Sequence, residues 1–238
     1  MQAVEAARSI SLNICTVSHK IAFVKNLMRN GTNMKDEKKR GRPRAFDAKA
    51  ALGKARDVFW DRGFAAASLD NLSAATNLNR PSLYGAFGDK EDLYLDTLEA
   101  YRRDGMDALA QALDPSLPLR NNLARVYESA LAIYLHGATA ARGCLLIGTA
   151  TAEAVERERV REVLGRSLSD FDGEIEKRMR LAVERGELPE SADPQMLARL
   201  ASAVMHSLAV RARAGDSRET LEAIARSGVE LICGSARS

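Results

Sequence analysis

The sequence predicts an all-α protein, with a small three-helix unit followed by a larger helical body. Three observations carry this. Strand-type alternation of apolar and polar residues is hard to find. Only six prolines interrupt the 238 residues, which are rich in Ala, Leu, Arg and Glu. Apolar residues recur instead three and four apart, between residues that start and stop helices. The chain is long enough to bury a sizeable core.

Residues 1–34 look unlike the rest and are expected to be a disordered N-terminal extension. Weak amphipathic character around Ile21–Met28 is broken at Asn30-Gly31-Thr32-Asn33. Met34 is followed at once by a basic run. Residues 35–46 are read as a basic arm: Lys35, Lys38, Lys39, Arg40, Arg42 and Arg44 supply charge, and Gly41 and Pro43 prevent a helix. Residues 1–46 hold ten Lys/Arg against three Asp/Glu, whereas the remainder holds 25 against 29. The excess sits where an arm that neutralises phosphates would sit, although a solubilising tail has the same composition.

Asp47 caps a helix to about Arg62 with the stripe Leu52, Ala55, Val58 and Phe59, ended by Gly63 through the left-handed route. Trp60, the sole tryptophan, is expected in the core. Ser68–Lys90 is the most informative stretch. Ser68 caps a short helix whose apolar face is Leu69, Leu72 and Ala75. Asn77, which tolerates positive φ, makes the turn, and Leu78 plugs the corner. Asn79 caps the next helix, with Arg80 and Pro81 in its first turn. Leu83 and Phe87 point inward. That leaves Arg80, Ser82, Tyr84 and Gly85 facing outward or sideways, an arrangement suited to a DNA major groove.

The pattern L-x-x-L-S-x-A, a turn, then L-N-R-P-S-L-Y-x-x-F-x-x-K-E-x-L resembles the helix-turn-helix of tetracycline-repressor-like (TetR/AcrR) transcription regulators, over about residues 46–95. Two positions depart from it: Asn77 stands where many members have Gly, and Gly85 where many have an aromatic or His. The resemblance implies residues 47–92 as a DNA-binding domain and 93–238 as a ligand-binding and dimerisation domain. The residues assigned to DNA are Arg42, Arg44, Ser68, Asn79, Arg80, Pro81, Ser82, Tyr84, Gly85 and Lys90. Lys90 lies in the first turn of a helix capped by Asp89, where a cation opposes the helix dipole; a nearby phosphate would account for it.

That helix carries Leu93, Leu98 and Tyr101 toward about Ala112, and Asp114–Pro118 breaks the chain. A helix over 119–135 carries Leu123, Val126, Ala130 and Leu131. Residues 142–149, small and apolar, are expected to form a helix packed closely at Gly143 and Gly148, making a dry cavity wall. A long helix over 153–185 is expected to break near Gly165. Asp193 and Ser217 cap the last two helices, which end near Ala214 and Cys233.

Cys15, Cys144 and Cys233 give neither a disulfide framework nor metal spacing. His19, His136 and His206 have no second ligand at metal-binding spacing. No phosphate-cradling glycine loop or nucleophile elbow is present, so no enzyme, cofactor or metal is expected. A signal peptide and a membrane span are not expected either, and a reducing cytoplasm fits. The resemblance implies a homodimeric repressor of a palindromic operator, released by a small, mostly apolar effector. The pocket candidates are Tyr101, Tyr127, Tyr134, Cys144, Ile147, Phe171, Ile175 and His206. The dimer candidates are Leu200, Val204, Leu208, Leu221, Ile224 and Val229. Two other readings stay open: a ligand-independent nucleoid scaffold, and a thiol-based sensor using Cys144.

Overall fold

A computed structural model of the chain describes residues 46–137 and 140–234. The expected extension, and the arm up to residue 45 with Arg42 and Arg44, lie outside the described residues. Eight helices organise the rest: α1 (Ala48–Ala66), α2 (Leu69–Thr76), α3 (Arg80–Phe87), α4 (Lys90–Ala112), α5 (Leu119–Tyr134), α6 (Glu158–Glu184), α7 (Pro194–Ala214) and α8 (Arg218–Cys233). A π-helical turn, Leu146–Ala150, runs into one α-turn, Thr151–Glu153, between α5 and α6.

Local chemistry fixes most helix starts. Asp47 accepts from the amides of Lys49 (2.9 Å) and Ala50 (3.2 Å). Asp89 and Asp92 form a reciprocal capping box at the start of α4. Asp193 and Ser217 cap α7 and α8 as expected. The end of α1 differs from expectation. Gly63 does take a positive φ (77°), but its ψ of 171° is extended, not left-handed helical. The chain therefore kinks there and resumes one more turn. That turn buries Phe64 5.0 Å from Tyr94 and 6.2 Å from Phe59.

α4 is shared: it packs on α1 and α3 and also on α5 and α6. Phe59 meets Tyr94, and Trp60 meets the edge of Tyr101, each at 5.0 Å. Behind α4, helices α5 to α8 close a second core around Leu123, Tyr127, Ile175, Met179 and Leu208, with α7 and α8 turning at Gly215. Among the described residues no helix is long and apolar enough to cross a membrane.

Three expectations are corrected. The long helix does not break at Gly165; α6 passes through it, and the break comes before α6, where Arg157 is extended (φ −113°, ψ 103°). Gly165 has nothing within 4 Å of where a Cβ would stand, so the apolar stripe Val160, Val163, Ile175 and Met179 holds the helix across it. Residues 142–144 are not helical. Gly143 takes φ +65°, and a Cβ there would meet the Ala209 carbonyl oxygen at 2.5 Å, so close approach to α7 forces the non-helical entry. Finally, Leu208, Leu221 and Val229 are buried inside the protomer. They have no surface to offer a second copy, whereas Leu200, Val204 and Ile224 are only half-buried.

Candidate nucleic-acid interface

α2 and α3 meet at a turn whose geometry is set by one residue. Asn77 is the single non-glycine with positive φ among the described residues (58°, with ψ 33°). Its short polar side chain tolerates the left-handed region. The amide of Leu78 then reaches the Ser73 carbonyl at 3.3 Å, and Leu78 packs against the core. Asn79 accepts from the Ser82 amide at 2.9 Å and starts α3 with Pro81 in its first turn. Leu83 is buried and Phe87 packs on the core, 6.4 Å from Phe46.

With that face inward, Arg80, Pro81, Tyr84 and Gly85 are exposed and Ser82 is half-exposed. Tyr84 keeps 46% of its surface, unusual for a large side chain here. Gly85 has open space where a side chain would stand. Ser68 and Asn79 spend their side-chain oxygens as caps; Ser68 and Asn71 satisfy each other's amides at 3.1 and 3.2 Å. They position the helices, and their backbone remains at the exposed surface.

Sequence reasoning missed one residue of this surface. Asp70, on α2, accepts from Arg80 Nη2 at 2.7 Å, with both side chains largely exposed. This hydrogen bond raises the Arg80 pKa. Asp70 and Arg80 are ten positions apart, so no helical spacing links them; only the angle between α2 and α3 does.

Lys90 is less free than expected. Its ammonium lies 4.4 Å from the centre of the Phe64 ring, as does the Arg157 guanidinium. Partial burial lowers the Lys90 pKa. Arg157 also binds Glu91 at 2.8 Å and Glu153 at 3.1 Å, and Arg159 binds Asp92 at 2.9 Å. The start of α6 is thereby tied to the start of α4, directly after α3.

A second seam joins α1 to the segment before the π-turn. Arg142 reaches Asp57 at 2.9 Å and Asp61 at 2.7 Å, one helical turn apart on α1, with its guanidinium 5.5 Å from the Trp60 ring centre. Arg213 of α7 donates to the carbonyls of Arg142 (3.2 Å) and Trp60 (3.4 Å). The Asp57/Asp61 pair is readable as one helix face, but its partner Arg142 is 85 residues away and carries no local signal.

Of the pocket candidates, the structure brings three together. Tyr101 donates to the Cys144 sulfur at 3.6 Å, and buried Tyr134 lies beside the same thiol. Burial raises the Cys144 pKa, the reverse of the depressed value that makes a reactive thiolate. Cys144 and Ile147 line a cavity of about 340 Å³ together with Gly148, Ala209, Val210, Arg213 and Ala214. Tyr127 and Ile175 are instead core residues; Tyr127 donates to the Ala201 carbonyl at 3.3 Å. Phe171 closes on Gly105, and His206 is largely buried near Asp172, with its pKa lowered by that burial.

Comparison with known proteins agrees with this geometry. Residues 51–97 match the family model for bacterial regulatory proteins of the tetR family, and residues 120–227 match that for the tetracyclin repressor-like C-terminal domain. The HTH-type transcriptional repressor ComR of Escherichia coli strain K12 is 30% identical over 196 residues, spanning 82% of this chain and 93% of its own. BdcR of the same strain, also an HTH-type transcriptional repressor, is 29% identical over 193 residues, spanning 81% and 92%. Among solved structures, a cysteine mutant of the TetR family regulator CifR, complexed with 26-base-pair double-strand operator DNA, matches with a TM-score of 0.68 at 33% identity. That match covers 79% of this chain and 98% of the CifR chain.

Proposed function

The chain belongs to the tetR family of bacterial regulatory proteins, and on that premise we propose that it is a homodimeric repressor that leaves a palindromic operator when a small effector binds. It is a DNA-binding transcriptional regulator, as its relatives ComR and BdcR are named. We assign reading to residues 47–92 and effector binding and dimerisation to residues 93–238, in the cytoplasm and without enzymatic activity. One observation carries the proposal: α3 is a short capped helix whose buried side is Leu83 and whose exposed side is Arg80, Pro81, Tyr84 and Gly85. Such a helix is shaped to enter a major groove by its N-terminal end.

Dimerisation is supported by α7 and α8. Besides half-buried Leu200, Val204 and Ile224, they expose Met196 and Leu231, an apolar surface fit for a self-complementary contact.

Selection from a randomised duplex library tests the reading. The full-length chain should enrich a two-fold symmetric site, and binding to it should weaken steeply with salt. Genome-wide binding at a few such sites supports a regulator. Uniform binding at many unrelated sites would instead make the protein a scaffold.

A further inference from the structure

The cavity beside the π-turn has a composition that names its ligand. Its walls are apolar: Ile147, Ala209 and Val210, with Cys144 among them. One charged residue lines it, Arg213, and no carboxylate does. Among the described residues Arg213 forms no ion pair. Its Nη1 is shared between two carbonyls at 3.2 and 3.4 Å, and among the described residues no protein acceptor meets its other nitrogens. Arg213 is exposed, as are Gly148, Val210 and Ala214, so the cavity is an open groove, and the solvent-facing donors of its guanidinium match a planar anion. The volume, about 340 Å³, suits a small molecule.

Two glycines make this arrangement possible. A Cβ on Gly143 would strike the Ala209 carbonyl, so the segment before the π-turn could not approach α7. A Cβ on Gly148 would stand 2.8 Å from Arg213 Nη1, so the guanidinium could not lie where it does. The π-turn between them is a helix irregularity of the kind that accompanies functional sites.

Arg213 is also part of the seam. The two carbonyls it holds belong to Trp60, on α1, and to Arg142, whose side chain clamps Asp57 and Asp61 of the same helix. An anion that draws the Arg213 guanidinium toward itself pulls Nη1 away from both carbonyls and so acts on the attachment of α1.

We propose that this cavity is the effector site, that the effector is a small apolar molecule bearing one carboxylate, and that Arg213 both binds that carboxylate and transmits its arrival to α1. The inference rests on the reading of the chain as an effector-released repressor, and it deepens that reading. Release requires the carboxylate to bind the DNA-free form more tightly than the DNA-bound form.

The test uses matched probes on the full-length chain: benzoate against benzyl alcohol, and octanoate against octanol. Two signals are read. Trp60 is the sole tryptophan and lies in the seam, so its emission reports binding there. Anisotropy of the library-selected duplex reports release. The carboxylates should shift Trp60 emission and release DNA at concentrations at least tenfold below those of the alcohols. Arg213→Gln should erase that preference. Gly148→Val, at an exposed position, displaces Arg213 Nη1 and fills the space beside it, and should block the carboxylates even if Arg213→Gln folds poorly. Equal potency of alcohols and carboxylates, undiminished carboxylate response in Gly148→Val, or no carboxylate response at all would overturn the proposal. Failure to enrich any duplex would instead overturn the repressor reading, and the Trp60 titration would still decide the cavity.

Discussion

Arg178→Met should cost more stability than any surface substitution in this chain. Arg178 lies on α6 between Ile175 and Met179 and is 4% exposed. Its Nε donates to Asn122 Oδ1 at 2.6 Å, and its Nη2 donates to the Leu117 carbonyl at 2.9 Å and to Glu187 at 2.9 and 3.1 Å. Glu187 also accepts from the Leu119 amide, and Asn122 donates to the carbonyls of Ala112 and Asp114. One guanidinium thus closes the α4–α5 connection onto α6 and the turn after it. Methionine keeps the apolar stem but strands the Glu187 carboxylate, the Asn122 oxygen and the Leu117 carbonyl. Breaking a buried pair from one side costs about 3–5 kcal/mol. Buried Arg178 Nη1 has no hydrogen-bond partner, so losing it returns part of that cost and the low end is expected. At roughly 2–4 °C per kcal/mol for a chain of this size, Tm should fall by about 6–12 °C. Differential scanning calorimetry checks it, and Glu187→Gln in the Arg178→Met background should recover part of the loss by removing the stranded charge. Because the node lies away from α3, operator affinity below Tm should not change. A fall in Tm under roughly 2 °C, less than 1 kcal/mol, would refute the claim that this node bears on stability.

Three further predictions concern the reading and assembly surfaces. Arg80→Ala and Tyr84→Ala should abolish detectable operator binding with unchanged circular dichroism, while Asp70→Ala, which frees the Arg80 guanidinium, should lower the operator-to-random affinity ratio about 5- to 30-fold if Asp70 orients Arg80 against a base. The Asp70 effect should vanish in an Arg80→Ala background, and a ratio unchanged by Asp70→Ala would leave Asp70 a bystander. At the turn, Asn77→Gly should alter stability by a few tenths of a kcal/mol, whereas Asn77→Val, forced to φ near 58°, should cost about 1–2 kcal/mol by urea denaturation. For assembly, Leu231→Glu, at a position 70% exposed, should give a folded monomer in sedimentation, and Leu221→Glu, fully buried in the protomer, should unfold the chain; a Leu231→Glu dimer would move the interface elsewhere.

What was legible in the sequence was local. The caps at Asp47, Ser68, Asn79, Asp89, Asp193 and Ser217 each act within three residues, so spacing alone reveals them. The left-handed turn at Asn77 is local in the same sense. Less legible were features set by distant partners. An apolar stripe marks what is buried but not what covers it, which is why Leu208 and Leu221 read like interface residues and are core. Nothing local marks Arg178 as buried, since charge is usually solvated, yet it sits in the inward stripe of α6, where Glu187 and Asn122 meet it. The π-turn had no signature, since it follows from how closely Gly143 and Gly148 let the chain approach α7.

The contrast between the Arg178 node and the seam at α1 bears on how release could work. The node is buried and costly to break. The seam is built from partly exposed ion pairs, Arg142 with Asp57 and Asp61 and Arg56 with Asp104, and the neighbouring tie of α6 to α4 from Arg157 with Glu91 and Arg159 with Asp92. Pairs of this exposure contribute about 0–1 kcal/mol each and weaken with salt. Two aromatic contacts, Phe59 with Tyr94 and Trp60 with Tyr101, set the angle of α1 on α4. Such an attachment is cheap to rearrange while the body around Arg178 stays fixed. A coupling free energy of about 1–3 kcal/mol, typical of an effector, is enough to offset one or two of these pairs, whereas the node, at about 3 kcal/mol or more, stays closed. The stiffness of the body and the softness of the seam are therefore both required for a ligand behind α4 to move α3 in front of it.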